Sequence, residues 1–341
     1  MYIIRADGNA KIGAGHLMRC LTIAQTLAKR LGDQKEICFW CAEEASGDLV
    51  KSHGFQAKVL GTDYRNMETE LTEWEKLTSW NNIILVDSYY VTDSYLNTLR
   101  KYGKVYLLDD MQQHVYPVDV VINYNAFADK EKYHNLYAGT GTICLVGSDY
   151  VPVREQFLNR DYHVHEKVTD VLITTGGGDI ANIAGELLKE ILCEEVSFHV
   201  VSGRYNPHLE ALQELKRIYP EIHIYHDVKN MAELMQKCDL AITAGGTTIY
   251  ELAAVGVPFL CFSYAENQEA LTEYIGTCEI AGYLGAYHLE RQTVMEKLSV
   301  LFAEYCHNWD LRMACHRSEK KMIDGKGAER LAEKIYQQKC I

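Results

Sequence analysis

The chain has 341 residues, 48% of them hydrophobic, which suits two domains with sizeable cores at roughly 100–200 residues per domain. A formal net charge of −13 at pH 7 argues against general affinity for nucleic acid or an acidic membrane, but leaves room for an anionic small ligand held by local donors. The 11 cysteines are scattered, and several (Cys20, Cys38, Cys144, Cys193, Cys261) lie in apolar runs, which suggests a reducing compartment and not a disulfide framework. No apolar run reaches the ~18 residues of a membrane span. The chain opens directly on a strand with no secretory leader in view, so a cytoplasmic location is expected.

The first strand is the apolar run Tyr2–Ile4, and the first helix carries Leu17, Leu21, Ala24, Leu27 and Leu31 at helical spacing. Between them runs Gly13-Ala14-Gly15-His16, at the carboxyl edge of a parallel sheet, where open α/β proteins bind ligands. The glycines allow a tight turn or a close backbone approach to a ligand. The helix start offers free N–H groups to an anion, with His16 beside them. A tight turn with an incidental histidine is the plainer alternative. A Walker P-loop is excluded because no Gly-Lys-Ser/Thr follows, and a dinucleotide fingerprint is weakened by Met18 where glycine belongs.

Strand and helix signals then alternate. Strands are expected at 36–41, 57–60, 82–86, 104–108 and 118–122, and helices at 47–53, 66–80 and 93–101, the last capped by Asp93 or Ser94. Polar residues recur at strand ends: Asp87, Tyr89, Asp109, Asp110, Asn123 and Asn125. All would share the edge that holds His16, and each could equally serve as a helix cap or turn residue. No His or Cys stands at ligand spacing from Asp109-Asp110, so no metal site is expected. Residues 1–157 read as one domain and 158–166 as a polar linker.

Alternation restarts with strands at 170–174, 198–201 (running to Gly203-Arg204), 223–226, 239–243 and 258–262. Helices are expected near Asn182 and at 206–218, 230–237 and 249–255. Thr175-Gly176-Gly177-Gly178-Asp179 is a turn or a loop facing the ligand. Gly245-Gly246-Thr247-Thr248 is the second candidate anion site: a strand end, two glycines, two hydroxyls and a helix start. Thr247 or Thr248 is the expected cap. Glu251, one turn in, suits either a sugar hydroxyl or a capping box. Residues 167–307 form the second domain, and 308–341 are helices packing toward the first. The fold class is thus α/β, two doubly wound Rossmann-like domains facing a cleft, by analogy the GT-B arrangement.

Several stretches together resemble the nucleotide-sugar hydrolases of pseudaminic acid biosynthesis, the PseG family, related to MurG and SpsG. They are Arg5-Ala6-Asp7, Gly13-Ala14-Gly15-His16-Leu17-Met18-Arg19, Asp87-Ser88-Tyr89, Asp109-Asp110, Tyr150 with Val153-Arg154-Glu155-Gln156-Phe157, Gly176-Gly177, Ala244 through Glu251, and Ala265-Glu266-Asn267-Gln268. The resemblance implies release of UDP from UDP-2,4-diacetamido-2,4,6-trideoxy-β-L-altropyranose by water attack at C1 with inversion, with His16 as general base. Gly13, Gly15, Arg19, Asp87, Tyr89, Asn267 and Gln268 would contact the sugar and the water. Gly245, Gly246, Thr247 and Thr248 would hold the pyrophosphate, Gly245 to Thr247 through backbone N–H groups. Glu251 would grip the ribose, and the main chain near Val228 and Met231 would read the uracil. It implies no cofactor and no metal, a small-molecule UDP-sugar as partner, and no nucleic acid; a monomer is favoured. A glycosyltransferase of the same fold, with a hydroxyl acceptor in place of water, is the alternative.

Overall fold

The computed structural model describes residues 1–9, 12–77, 79–111, 114–203 and 206–337. Arg204, expected at a strand end, lies outside the described residues. The chain divides into two compact units: Met1–Pro152 with Lys326–Ile341, and Val153–Gly325.

The first unit runs β1 (Tyr2–Ala6), α1 (Gly15–Leu31), β2 (Ile37–Cys41), α2 (Glu44–Ser52), β3 (Gln56–Val59), α3 (Leu71–Trp74), β4 (Asn82–Asp87), α4 (Asp93–Leu99), β5 (Gly103–Leu108), β6 (Val120–Asn123), α5 (Lys130–Leu136) and β7 (Ile143–Val146). Its seven strands are all parallel, in the order β3-β2-β1-β4-β5-β6-β7. The strands read as apolar runs because helices cover both faces of such a sheet. Ile3, Ile84, Val86, Val105, Leu107 and Val121 form its core with Trp40, Trp74 and Tyr95. The order reverses between β1 and β4, and at their carboxyl ends Ala6 stands opposite Asp87. This switch point is where a doubly wound sheet opens a crevice for ligands. Cys38 and Cys41 have C-x-x-C spacing, but residues three apart on β2 point to opposite faces, and both are free.

The second unit runs β8 (Asp170–Thr174), α6 (Ile183–Ile191), β9 (Ser197–Ser202), α7 (Leu209–Ile218), β10 (Ile222–His226), α8 (Met231–Lys237), β11 (Leu240–Ala244), α9 (Thr247–Val255), β12 (Phe259–Ser263), α10 (Glu266–Thr277), β13 (Gly282–Ala286), α11 (Tyr287–His307) and α12 (Trp309–Met322). Its parallel sheet has the order β10-β9-β8-β11-β12-β13, with the reversal between β8 and β11.

The unit boundaries differ from the expected ones. Residues 158–166 are part of the second unit. There Tyr162 donates to the Cys238 carbonyl, and the His165 and Glu166 carbonyls accept from Arg312, so the stretch is packed and not a free linker. Of the terminal helices, α12 buries Arg312, Cys315 and Glu319 within the second unit. Only α13 (Gly327–Gln337) joins the first, where Glu333 pairs with Arg30 of α1 at 3.2 Å and the Tyr106 hydroxyl of β5 donates to the Lys334 carbonyl.

Local differences have local causes. The helix expected over 66–80 contracts to a 3-10 turn, Met67–Glu70, and the single turn of α3, because Glu70 is drawn inward to the buried Arg5. The cap of α4 is Thr92, whose hydroxyl accepts from the Tyr95 N–H at 3.0 Å. The N-cap of α9 is Gly246, with no side-chain cap, in place of Thr247 or Thr248.

Candidate active site

At the switch point of the first unit, α1 presents His16, Arg19 and Cys20 on one face, as i, i+3 and i+4 spacing requires. Asp87, the last residue of β4, meets all three. Its Oδ1 lies 2.6 Å from His16 Nδ1 and also accepts from Arg19 Nη2, while Oδ2 accepts from Arg19 Nε at 2.5 Å and from Cys20 Sγ at 3.5 Å. Arg19 Nη1 donates to Asp110 Oδ2 and to the Tyr124 hydroxyl, each at 2.7 Å. The Tyr89 hydroxyl donates to Asp110 at 3.1 Å, and its ring stands edge-on to the His16 imidazole with centroids 4.6 Å apart. Asn125 Nδ2 lies 3.4 Å from Asp110 Oδ1.

Burial acts to raise the Asp87 acid, but the adjoining Arg19 guanidinium and His16 outweigh it and hold the carboxyl well below the usual range. Asp87 is therefore a fixed negative charge across neutral and mildly acid pH. That charge decides the imidazole tautomer. A 2.6 Å contact with a carboxylate needs a proton between the atoms, so Nδ1 carries the hydrogen and donates it to Asp87. Arg19 Nη2, which gives one of its two hydrogens to Asp87 Oδ1, is also 3.0 Å from the same nitrogen; the shorter 2.6 Å contact with the carboxylate decides where the Nδ1 hydrogen points. In the neutral ring the lone pair is then on Nε2, which has no hydrogen-bond partner among the described residues. An oriented neutral imidazole backed by a buried carboxylate can take a proton from a water or hydroxyl group.

The glycine loop at the head of α1 divides into two kinds of position. Gly13 has φ +73°, which a side chain rarely adopts, whereas a Cβ on Gly15 would meet open space. Ala14 is the N-cap and makes no side-chain cap bond, so the first N–H groups of α1 have no capping side chain. The two adjacent aspartates part company. Asp109 accepts from the buried Tyr133 hydroxyl at 2.6 Å and is structural, while Asp110 joins the Arg19 cluster. Tyr124 is not singled out by the sequence, and Asp110 stands out there only as half of the strand-end pair Asp109-Asp110. Nothing in the pattern distinguished them from Asp109 and Asn123, the latter tied to Tyr133.

In the second unit, the loop after β11 differs from expectation at Gly245. Its N–H donates to the Phe262 carbonyl at 2.8 Å and is not available to a ligand. The residue is glycine because a Cβ would stand 2.8 Å from Gln268 Cβ and 2.9 Å from Thr272 Cγ2. Gly246 has φ +154° with open space around it, and it begins α9 without a capping side chain, so the N–H groups of Gly246, Thr247 and Thr248 are the available donors. Glu251 is buried, and its Oε1 accepts from Arg154 Nε at 2.7 Å. On α10, Gln268 Oε1 accepts from the Tyr264 N–H, so this side chain braces the turn, while Asn267 is exposed and makes no side-chain bond among the described residues. Val228 is half-buried and Met231, opening α8, is buried. The loop after β8 is closed to anions at its helix. The Asp179 carboxylate accepts from the Ile183 and Ala184 N–H groups at 2.7 and 3.1 Å, occupying the α6 N-terminus.

These features define a class. Residues 171–321 match the family model of the glycosyltransferase family 28 C-terminal domain. The two-unit α/β fold is that of GT-B glycosyltransferases. It is shared with MurG of Acinetobacter baumannii (TM-score 0.64, 15% identity, 98% of this chain and 99% of that one). It is shared as well with the calicheamicin glycosyltransferase CalG4 (TM-score 0.64, 12% identity, 99% and 98%). Among curated proteins, the chain is a relative of the UDP-2,4-diacetamido-2,4,6-trideoxy-β-L-altropyranose hydrolase of Campylobacter jejuni, 24% identical over 80% of this chain and 95% of that protein. It is likewise a relative of the spore coat polysaccharide biosynthesis protein SpsG of Bacillus subtilis, 25% identical over 98% of each.

Proposed function

We propose that the protein hydrolyses a UDP-linked sugar of the kind named for its Campylobacter relative. The observation that carries the reading is the 2.6 Å bond from His16 Nδ1 to Asp87, which leaves Nε2 free to act as a base. In the reaction, Nε2 takes a proton from water as the water oxygen attacks C1. The C1–O bond breaks with its electron pair leaving on UDP, and C1 is inverted. UDP is a stable leaving group, so donors at its phosphates, the N–H groups of Gly246, Thr247 and Thr248, suffice on that side. Gly13, Gly15, Arg19, Tyr89 and Asn267 border the sugar and the water. Arg19 and Asp87 also fix the base, and Glu251 accepts from the ribose, with Val228 and Met231 at the uracil. Gln268 contributes by bracing the turn before α10. The reaction would serve surface-glycan synthesis in the cytoplasm.

The test is turnover in ¹⁸O-labelled water without any added acceptor. We expect UDP release with the label in the free sugar. Label in UDP would mean attack at phosphorus and would refute the role of His16. A second reading, a glycosyltransferase with a sugar or lipid hydroxyl as acceptor, is favoured by the family 28 match over residues 171–321. It predicts no UDP release until an acceptor is supplied. His16→Ala should bind UDP as the wild type does and lose turnover in either case, which separates an enzyme from a binding protein.

A further inference from the structure

The segment Val153-Arg154-Glu155-Gln156-Phe157 has no part in the chemistry above, yet it touches the elements that carry the nucleoside contacts. Arg154 Nε donates to Glu251 Oε1 at 2.7 Å, and the guanidinium carbon lies 4.9 Å from the centroid of the buried Phe157 ring. The arginine is thus pinned between a ring and a carboxylate. Gln156 Oε1 accepts from the Ala232 N–H at the head of α8, just beyond Met231, and the Gln156 carbonyl accepts from Arg160, which also reaches Gln236 of α8. One short stretch therefore braces both α9 and α8.

Glu251 is a buried carboxyl whose other oxygen, Oε2, accepts no hydrogen bond among the described residues. A buried carboxylate with a single partner turns about its last torsion unless that partner holds it. Arg154 supplies the hold through one directional N–H on a rigid guanidinium.

We infer that Arg154 is a positioning residue for nucleoside recognition: it fixes the Glu251 carboxylate so that Oε2 accepts from a hydroxyl of the UDP ribose. The inference rests on the reading of Glu251 as the ribose carboxylate. It makes the Val153–Phe157 motif a support for ribose selectivity and gives it no part in the reaction.

The experiment compares the affinities of UDP and 2′,3′-dideoxy-UDP, measured by calorimetry on the full chain. Wild-type protein should prefer UDP by about tenfold or more, the range for a hydrogen bond to a charged group. Arg154→Gln should lose most of that preference while its affinity for the dideoxy ligand stays at the wild-type value. Glu251→Gln should lose the preference as well, and adding Arg154→Gln to it should change little more. Arg154→Lys, which keeps the charge without the fork, should retain an intermediate preference and serves as the readout if the glutamine variant does not fold. Equal weakening of both ligands, or a full preference retained in Arg154→Gln, overturns the inference and leaves the UDP reading intact. A wild type that binds neither ligand, or binds both equally, refutes the ribose reading of Glu251 itself.

Discussion

Replacing Asp87 by asparagine keeps the shape of the side chain, removes its charge and leaves its neighbours one acceptor short. Asp87 is met by donors on both oxygens: His16 Nδ1 and Arg19 Nη2 at Oδ1, Arg19 Nε at Oδ2. An amide has only one acceptor atom, so in either orientation its NH₂ faces a guanidinium N–H. If the oxygen stays at the Oδ2 position, the amide donates to His16 Nδ1, and the imidazole proton moves to Nε2, where the base should be. The wrong tautomer is then the favoured one. Loss of a general base is worth about 10²–10⁴-fold in turnover, or ~3–5.5 kcal/mol of barrier. Breaking a buried ion pair costs about 3–5 kcal/mol of stability. Arg19 keeps Asp110 and Tyr124, so the lower end of that range is expected. UDP release by Asp87→Asn, measured with a coupled assay, should fall into the 10²–10⁴-fold range, with UDP affinity unchanged and a lowered melting temperature. Turnover within about threefold of wild type would refute the tautomer argument, because the barrier change would be under ~1 kcal/mol.

Tyr89→Phe removes only the hydroxyl bond to Asp110 and keeps the ring edge against His16, so turnover should drop about fivefold, corresponding to ~1 kcal/mol, with stability unchanged. Gly245→Ala should lower the stability of the second unit by about 1–3 kcal/mol, since the new methyl meets Gln268 and Thr272 below 3 Å, and calorimetric melting reads it directly. Glu319 is fully buried with no partner on either carboxyl oxygen among the described residues, and burial pushes its acid well up. A group whose folded value is raised contributes stability that is complete below the ordinary glutamate range and lost as pH rises through the folded value. Glu319→Met should therefore be more stable by about 1–3 kcal/mol at neutral pH, with a melting-temperature advantage that grows from acid to neutral pH; an advantage that stays flat with pH would count against it.

Most of the fold was legible because a parallel sheet writes its strands as short apolar runs with polar ends. β8 and β4 begin where Asp170 and Asn82 do, and the switch points follow from the order of the elements. Elements whose signal depends on a tertiary partner were not legible. Strand β7 (Ile143–Val146) is a four-residue edge strand, and α5 is two turns held by an Asp129 cap, too short for a period to emerge. The stretch at 66–80 has helical spacing, but its Glu70 pairs with Arg5, 65 residues away. No local pattern carries that information.

The candidate site shows the same division at the level of single atoms. Sequence spacing marks which residues stand at a strand end, because backbone topology places them there. It does not mark which hydrogen bonds are already made. Gly245 and Gly246 are adjacent glycines in one motif, yet the N–H of the first is tied to Phe262 and the second begins α9 without a capping side chain. The Gly176–Gly178 loop likewise resembles an anion cradle, yet Asp179, one residue on, supplies the anion from within the chain. In each case the deciding fact is the presence of an internal acceptor or donor that satisfies the backbone before any ligand arrives. A glycine-rich loop at a strand end is therefore a candidate phosphate site only where its helix start has no carboxylate of its own. Among the described residues the loops before α1 and α9 meet that condition, and the loop before α6 does not.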